Sequence, residues 1–482
     1  MDNKIKQNID INEDEATRFI VDEVATDSED EIVNVRRSYS HHHSHSHSHH
    51  HSHSHSHSHK HHSSSSKKRN NKKNSNRKKK IERFVKHNKK YILYCLVAFV
   101  VFVCLIFVGG RLDNKAVKTD NDGADDLNLN AQAQNSALHI EVPFFSEDVA
   151  IASPAVEVFV NADENVLVST VYDKYSATGT RLDAGLPVEL SYEISGIPAG
   201  YNVKKAEIIV ADNKYMSQPR VFVLEGYETK VDVYNLKTGT QYYYTINLTF
   251  SNEFETSVSG SFRTAEGPRM LNVDGVYNMR DIGGWKTASG KTIKQGLLYR
   301  GTEIDGAVEP KYTISEAGIN TMLTELGIKT DMDLRSEHSN IYGTDVLGAA
   351  VKHKYYNTEA YSAILTNATN KENIRKVFSD LSDKNNYPVY LHCTYGQDRT
   401  GTICYLLEAL LGVDEKNLMK DFLLSGLHHG DVYGGIEPMD EFILALKKLP
   451  GASMSEKAEC YLKAIGVTAE EISRIKNIFL AD

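Results

Sequence analysis

The chain has 482 residues, a formal net charge of −9 and five cysteines. Its length is too great for one ordinary domain. Two of the cysteines lie inside one apolar run, so the cysteines predict no disulfide framework. The net charge averages a basic tract and acidic segments, so it gives no reason to expect a nucleic-acid partner.

Residues 1–90 are predicted to form a disordered, cytoplasmic tail, because they are polar and contain few apolar side chains. From His41 to His62 the tail alternates His and Ser, and neutral imidazoles in such a tract can bind divalent metal ions. A solvated spacer is the favoured alternative, because a repeat offers a metal neither fixed geometry nor supporting hydrogen bonds. A basic tract, residues 67–90, ends the tail with thirteen Lys and Arg residues.

Residues 91–110 are predicted to form one transmembrane helix. The first eighteen, Tyr91 to Val108, carry no charge, and at ~1.5 Å per residue they would span about 27 Å of a hydrocarbon core that is roughly 30 Å thick. The ninety residues that precede this run argue against a cleaved signal peptide. Because basic residues precede the run and five aspartates follow it, we expect a single-pass protein of the cell membrane with a cytoplasmic N-terminus.

Two further segments follow this helix. Residues 111–138 are predicted to be a solvated linker, since they are rich in Asn, Asp, Ala and Gln and show no periodicity. Residues 139–266 contain short alternating or β-branched runs separated by Gly, Pro and Asn, among them 155–160, 188–194 and 242–248. This spacing predicts an all-β sandwich.

The last third of this module carries a weak family signature. Residues 236–242 have the pattern Leu-x-x-Gly-Thr-x-Tyr, and a strand-like segment follows at 261–265. This combination resembles the end of a fibronectin type III domain, where the same pattern precedes the penultimate strand. The resemblance implies a fibronectin III-like fold for residues 139–266.

Residues 267–482 alternate strand-like and helical patterns, which predicts an α/β domain. Within it, residues 388–392 are predicted to be a buried strand and residues 400–411 a helix. Between the two lies a Cys-x5-Arg sequence, from Cys393 to Arg399. A loop of this length at a helix start directs several backbone N–H groups into one concavity, and helix N-termini favour anions. The segment therefore predicts a phosphate-binding loop.

The residue types of this loop suit nucleophilic attack on phosphorus. Cys393 is expected to be a thiolate at neutral pH, because the adjacent helix N-terminus stabilises the anion. Arg399 can hold two phosphate oxygens through its planar guanidinium, and the Thr400 hydroxyl can donate to the departing sulfur. His392 is predicted to be a buried orienting residue, since an imidazolium beside the thiolate would be costly to desolvate. The residues expected to bind the substrate phosphate are Thr394, Tyr395, Gly396, Gln397 and Thr400.

Residues 268–482 resemble the bacterial protein tyrosine phosphatases, whose phosphate loop has the sequence His-Cys-x-x-Gly-Lys-Asp-Arg-Thr-Gly. The corresponding sequence here, at residues 392–401, is His-Cys-Thr-Tyr-Gly-Gln-Asp-Arg-Thr-Gly. The family's other sequence blocks occur in the same order at 278–284, 296–301, 333–337 and 421–425. The resemblance implies that Arg280 with Asp281, and also Arg300, form structural ion pairs near the site.

Hydrolysis of an ester also needs an acid within hydrogen-bond reach of the leaving oxygen. The resemblance assigns this role to Asp398, although the same carboxylate could instead fix the loop. Asp333, at the end of its predicted strand, is the alternative, because a movable loop after it could close over the substrate. Gln397 replaces the lysine of the family loop, which disfavours phosphoinositide substrates, and Tyr395 could either stack on the ring of phosphotyrosine or simply pack.

Together these observations predict a membrane-anchored, cysteine-dependent phosphatase that hydrolyses phosphate monoesters, above all protein phosphotyrosine, through a phosphocysteine intermediate. Phosphoinositides, inositol phosphates and phosphoserine or phosphothreonine are alternative substrates of the same mechanism. A surface recognition protein that binds phosphate without turnover is the alternative class, and intact Cys393, Asp398 and Arg399 favour the enzyme. We expect no cofactor and no catalytic metal, a phosphorylated protein or small molecule as partner, and a catalytic domain outside the cell.

Overall fold

The computed structural model describes residues 138–163, 166–335, 346–430, 432 and 435–480. The strands of this part are β1 His139–Glu141, β2 Val188–Ser191, β3 Glu193–Ser195, β4 Val203–Ala211, β5 Arg220–Glu225, β6 Lys230–Val233, β7 Gln241–Phe250, β8 Glu255–Arg263, β9 Arg269–Met270, β10 Arg280–Asp281, β11 Leu298–Gly301, β12 Thr330–Asp333, β13 Lys352–Tyr355 and β14 Val389–His392. The α-helices are α1 Pro154–Asn161, α2 Val168–Tyr175, α3 Glu316–Asn320, α4 Ala363–Thr366, α5 Ala368–Leu381, α6 Asp398–Leu411, α7 Glu415–Leu423, α8 Gly426–His429, α9 Glu437–Lys447, α10 Met454–Ala464 and α11 Ala469–Phe479.

A six-stranded sheet with the order β13-β12-β14-β11-β10-β9 organises the C-terminal half. The four strands from β13 to β11 are parallel, and β10 and β9 extend the sheet with antiparallel pairing. All four residues of β14 are buried, as expected for a central strand of a parallel sheet. His392 pairs with Gly301 on one side and with Asp333 on the other, so the carboxyl ends of three strands meet at one edge, where open α/β sheets usually bind their ligands.

Helix α6 follows β14 after a short loop and is buried along most of its length. Ile403, Leu406, Leu407 and Leu410 pack into the largest core cluster of the described residues. The helix ends where Gly412 adopts a left-handed conformation with φ of +89°, a common way to terminate a helix. The predicted helix over 400–411 is thereby confirmed, with a start two residues earlier than the sequence pattern indicates.

Antiparallel sheets dominate the part before residue 267. A four-stranded sheet has the order β5-β4-β7-β8, and two smaller sheets pair β2 with β6 and β1 with β3. The ten residues of β7 alternate between half-buried and buried positions, which is the period of two that a strand imposes. Tyr244, Ile246 and Leu248 of this strand lie in a core cluster of their own, separate from the one that surrounds α6.

The prediction of an all-β, fibronectin III-like sandwich over 139–266 is wrong, because helices α1 and α2 lie within that range. The run 155–160, which the sequence pattern favoured as a strand, is part of α1. Ser153 caps this helix by accepting a hydrogen bond from the N–H of Val156 at 3.3 Å, and Pro154 occupies its first position. Ala155, Val156 and Phe159 fall on one helical face and are buried in the same cluster as α6. Burial of this face against the C-terminal half therefore outweighs the β propensity of the run.

The predicted fold class with one transmembrane helix, and the single-pass cell-membrane localisation based on it, are also corrected. Within the described ranges, no helix is both long and apolar enough to cross a membrane. The longest helices there, α5 and α6, have 14 residues each, which at ~1.5 Å per residue is about 21 Å and too short for a hydrocarbon core of roughly 30 Å. The predicted tail 1–90, the predicted helix 91–110 and residues 111–137 of the predicted linker lie outside the described residues.

Candidate active site

The candidate phosphate loop connects β14 to α6 and runs from Cys393 to Gln397. Cys393 is 1% exposed and follows directly on the central strand. The chain reverses at Gly396, whose φ is +67°, a conformation that L residues with a side chain seldom adopt. A Cβ at this position would lie 2.3 Å from the carbonyl oxygen of Gly301. The close approach of the loop to β11 therefore requires glycine at position 396.

Three successive carbonyl groups of the loop accept hydrogen bonds from outside the loop. The donors are Glu303 N to Thr394 O at 3.0 Å, Asn278 Nδ2 to Tyr395 O at 3.1 Å and Arg300 Nη2 to Gly396 O at 2.8 Å. In a trans peptide the C=O of one residue and the N–H of the next point in opposite directions. The N–H groups of Tyr395, Gly396 and Gln397 are therefore turned away from these donors, as an anion-binding concavity requires.

Arg300 is itself held in a buried network with Arg280 and Asp421. Arg280 Nε lies 2.9 Å from one carboxylate oxygen of Asp421, and Arg300 Nη1 lies 2.6 Å from the other. Burial alone would raise the pKa of Asp421, but the two guanidiniums outweigh it and hold that pKa below its usual range. Asp281, expected near Arg280, instead lies 2.9 Å from Arg269. The network thus fixes the donor that anchors Gly396.

Arg399 and Thr400 lie in the first turn of α6. Arg399 is half-buried, and its Nη2 lies 3.4 Å from Thr394 Oγ1 across the loop. Thr400 is fully buried, and its hydroxyl oxygen has no hydrogen-bond partner among the described residues. Both side chains therefore lie at the end of α6 that adjoins the loop, within reach of a group bound in the loop.

Asp398 is half-buried at the start of α6. Its Oδ1 accepts hydrogen bonds from Gln397 Nε2 at 2.9 Å and from the Tyr361 hydroxyl. Burial and the charge of Asp398 both raise the pKa of Tyr361, which keeps this phenol protonated as a donor. Both of these bonds fall on Oδ1 and fix the carboxylate at the start of α6. No sequence pattern indicates a role for Tyr361, because it belongs to no motif and lies far from the loop along the chain.

Asp333, the alternative acid, is fully buried at the end of β12. Its two carboxylate oxygens accept from Arg335 Nε at 3.0 Å each, and its Oδ2 also accepts from Arg335 Nη2 at 2.6 Å. Arg335 in turn pairs with Glu303 and Asp305 at 2.6 and 2.7 Å. Both oxygens of Asp333 are thus engaged with the guanidinium of Arg335.

His392 is buried at the end of β14, and its ring stacks on Tyr390 with the ring centres 5.3 Å apart. Its Nε2 lies 3.1 Å from Asp331 Oδ1 in an ion pair whose angle does not suit a directed hydrogen bond. Burial lowers the pKa of His392, but Asp331 and Asp333 outweigh burial and raise it to about 9. His392 is therefore held as a cation under the loop, contrary to the expectation from the sequence, because the charges of Asp331 and Asp333 offset the cost of desolvation.

Five rings lie together beside the loop and form what we call the aromatic wall: Tyr277, Tyr312, Tyr395, His428 and His429. Tyr395 meets Tyr312 and His429 edge to face, with centroids 6.0 and 5.5 Å apart, and its hydroxyl donates to Glu309 Oε1 at 2.7 Å. Burial, followed by the charges of His428 and Lys311, lowers the pKa of His429 to about 4. Of these five residues, only Tyr395 was expected from the sequence.

Within the described ranges, no group of three or more His, Cys, Asp or Glu residues could hold a metal ion. The His-rich tract, for which metal binding was considered, lies outside those ranges. Burial raises the pKa of the Cys404 thiol on α6 to about 12, so this cysteine is a protonated thiol.

Comparison with known proteins places the C-terminal half in a family. Residues 271–481 match the model of the tyrosine phosphatase family. A tyrosine-protein phosphatase from Nostoc commune is 26% identical and aligns with 32% of this chain and 67% of its own length. The core catalytic domain of the PP-IP phosphatase SIW14 from S. cerevisiae is 14% identical and aligns with 38% of this chain and 90% of its own length, with a TM-score of 0.23. The family model and the Nostoc relative confirm the predicted resemblance of the C-terminal domain to the tyrosine phosphatases and support a cysteine-dependent phosphatase.

Proposed function

We propose that this chain hydrolyses phosphotyrosine in proteins or peptides, with Cys393 as the nucleophile and Arg399 as the phosphate clamp. The observation that carries the proposal is the loop between β14 and α6, in which three anchored carbonyls orient the opposite N–H groups around the position of a phosphate. These N–H groups, the start of α6 and the guanidinium of Arg399 supply the positive field that a dianionic ester needs.

The reaction has two displacements at phosphorus. In the first, the thiolate of Cys393 forms a bond to phosphorus while the bond between phosphorus and the ester oxygen breaks, and Asp398 gives its proton to the leaving oxygen. In the second, water attacks the phosphocysteine, Asp398 takes a proton from that water, and the sulfur leaves as a thiolate. The Thr400 hydroxyl, which is buried without a protein partner in the described ranges, is available to donate to that sulfur.

Two features favour an aromatic ester over an inositol phosphate. The aromatic wall offers ring edges and faces beside the phosphate loop, and the lowered pKa of His429 keeps that ring uncharged at neutral pH. The position that carries lysine in the family loop is occupied by Gln397, whose amide donates to Asp398. A polyanionic head group therefore finds one cation fewer in the loop.

The test compares kcat/KM of the full chain for a phosphotyrosine peptide, for the same peptide with phosphoserine, and for a soluble phosphoinositide. We expect the phosphotyrosine peptide to be hydrolysed fastest. A higher kcat/KM for the phosphoinositide, or phosphate binding without turnover of any ester, would overturn the proposal.

A variant at the aromatic wall sharpens this comparison. Tyr395→Leu should raise KM for the phosphotyrosine peptide about two- to tenfold, the usual worth of one ring contact, and change the value for the phosphoserine peptide less. Tyr227→Leu is the matched control, because Tyr227 is 84% exposed in a turn of the N-terminal half. If Tyr395→Leu raised KM equally for both peptides, the aromatic wall would have no role in recognising the phosphotyrosine ring.

A further inference from the structure

Asp183 is a buried carboxylate from a segment that precedes the family domain. It lies between α2 and β2, is 2% exposed, and falls outside the residues that match the family. Arg181 donates to both of its oxygens at 3.2 Å, and His428 Nδ1 lies 3.3 Å from Oδ2. Burial alone would raise the pKa of Asp183, but His428 and Arg181 outweigh it and hold that pKa well below its usual range. Asp183 is therefore a carboxylate at neutral pH and can only accept hydrogen bonds.

The first path from Asp183 to the phosphate loop passes through Asn278. Asp183 Oδ2 accepts from the backbone N–H of Asn278 at 2.6 Å. Asn278 is fully buried with a φ of +50°, a strained conformation that its surroundings must maintain. The side chain of the same residue donates from Nδ2 to the Tyr395 carbonyl at 3.1 Å. One of the three anchored carbonyls of the loop thus depends on a residue that Asp183 holds in place.

The second path runs through His428 to the aromatic wall. Because the ionised Asp183 only accepts, His428 Nδ1 is the protonated ring nitrogen facing it. On the other side of the ring, Nε2 lies 2.9 Å from the hydroxyl of Tyr312. Tyr312 is fully buried and meets the ring of Tyr395 edge to face at 6.0 Å. Asp183 thus fixes the orientation of two rings that support the side chain of Tyr395, just as Asn278 supports its backbone.

A separate contact ties the N-terminal half to the same scaffold. Lys420 on α7 is 4% exposed, and its Nζ donates to the Phe159 and Ala162 carbonyls at the end of α1, at 2.5 and 2.7 Å. A cation at a helix C-terminus satisfies carbonyls that have no partner within the helix. The residue next to it, Asp421, holds Arg300 and Arg280. Asp183 and the end of α1 thus both make buried polar contacts with residues that support the loop.

We infer that Asp183 is a positioning residue of the phosphatase reaction, which aligns the phosphate loop through Asn278 and the aromatic wall through His428. The N-terminal half is then a structural part of the active site and not only a neighbouring module. The inference rests on the proposed function, since it concerns the same loop and the same ester.

The test measures binding of inorganic phosphate and the kinetic constants kcat and KM with the full chain. In the wild type the carboxylate of Asp183 accepts hydrogen bonds from the donors around it. Asp183→Asn replaces one carboxylate oxygen by an NH2 group, which is itself a donor and cannot accept from them. We expect it to weaken phosphate binding in a Cys393→Ser background by about tenfold or more and to lower kcat for an aryl phosphate similarly. Asp173→Asn, at an exposed position of α2, should change neither value.

His428→Asn provides a second and independent variant, because it breaks the path to Tyr312 while leaving Asp183 intact. We expect the effects of Asp183→Asn and His428→Asn to be non-additive, because both variants alter the contact between Asp183 and His428. If Asp183→Asn lowers only the melting temperature and leaves phosphate affinity and kcat at wild-type values, Asp183 has a structural role alone and the inference is wrong. If Asp183→Asn does not fold, unchanged phosphate affinity together with unchanged kcat and KM of His428→Asn overturns the inference.

These outcomes are separate from those of the proposed function. Failure of the wild-type chain to hydrolyse the phosphotyrosine peptide would end the substrate proposal, whereas the affinity for inorganic phosphate would still measure the alignment of the loop. A loss of phosphate affinity in Asp183→Asn together with full activity of the wild type on the peptide is the result that supports both.

Discussion

Gly396 accepts a hydrogen bond on its carbonyl oxygen from Arg300 at 2.8 Å, and its α-carbon lies against the backbone of Gly301. The loop therefore contacts two residues of β11: Gly301 packs against it and Arg300 donates a hydrogen bond to it. Gly396 combines a positive φ with a contact that leaves no room for a methyl group, since a Cβ would lie 2.3 Å from the Gly301 oxygen.

Gly396→Ala should therefore displace the loop and lower kcat by about 10²-fold or more, the loss expected when positioned donors move away from the reacting group. Gly290→Ala is the matched control, because Gly290 has a φ of +83° and no atom lies within 4 Å of the position that its added methyl group would take. That control should cost about 1–2 kcal/mol of stability from backbone strain alone and leave kcat unchanged. Equal activity of the two variants would show that the contact with Gly301 has no functional weight.

Cys393→Ser should abolish turnover and retain phosphate binding. A serine hydroxyl is not ionised at neutral pH and is a weak nucleophile without an adjacent base, whereas the loop carbonyl anchors and Arg399 remain in place. The measurement pairs a phosphatase assay with titration of inorganic phosphate. Cys460→Ser on α10 is the control and should keep both properties, since Cys460 lies on a helix that makes no part of the loop. Residual turnover by Cys393→Ser above that of a blank would exclude the phosphocysteine mechanism.

The phosphate loop could be predicted from the sequence because its information is local. A buried strand, a Cys-x5-Arg loop and a helix that ends in glycine are consecutive in the chain, and each has its own pattern. The supporting residues are not local. Asp183 and Tyr361 reach the site from other parts of the chain, and no pattern in the sequence relates an isolated Asp or Tyr to a loop that it meets only after folding.

The incorrect assignment of α1 has a different cause. The run 155–160 fits a strand by its β-branched and aromatic residues and fits a helix by the spacing of Ala155, Val156 and Phe159. The signal that separates the two is Ser153-Pro154, a capping residue followed by the residue favoured in a first helical turn. For this short run, the capping residue before it and the face that it buries determine the secondary structure more than the β propensity of its residues does.

Asp398→Asn should slow an ester with a poor leaving group far more than one with a good leaving group. An amide at this position still accepts from Tyr361 and Gln397 but cannot donate the proton that an alkoxide or phenolate needs. We expect a loss of about 10²–10⁴-fold in kcat for a phosphotyrosine or phosphoserine peptide and a much smaller loss for an aryl phosphate that leaves unprotonated. Equal losses for both classes would place the acid elsewhere, and Asp333→Asn would then be the variant to measure.

The ion pair of His392 with Asp331 should make folding stability depend on alkaline pH. The folded pKa of His392 is about 9, raised from an ordinary value of 6.5, so below pH 6.5 the ring is protonated in both the folded and the unfolded state and the pair contributes fully. Between pH 6.5 and about 9 the unfolded chain loses this proton while the folded protein keeps it, and the contribution, on the order of 3 kcal/mol, disappears as pH rises. Urea unfolding at pH 6.5 and pH 9.5 should show this loss for the wild type and a flatter dependence for His392→Gln. His139→Gln, at an exposed position, should keep the wild-type dependence. If His392→Gln lost as much free energy of unfolding between pH 6.5 and pH 9.5 as the wild type, other groups would be responsible for the alkaline sensitivity.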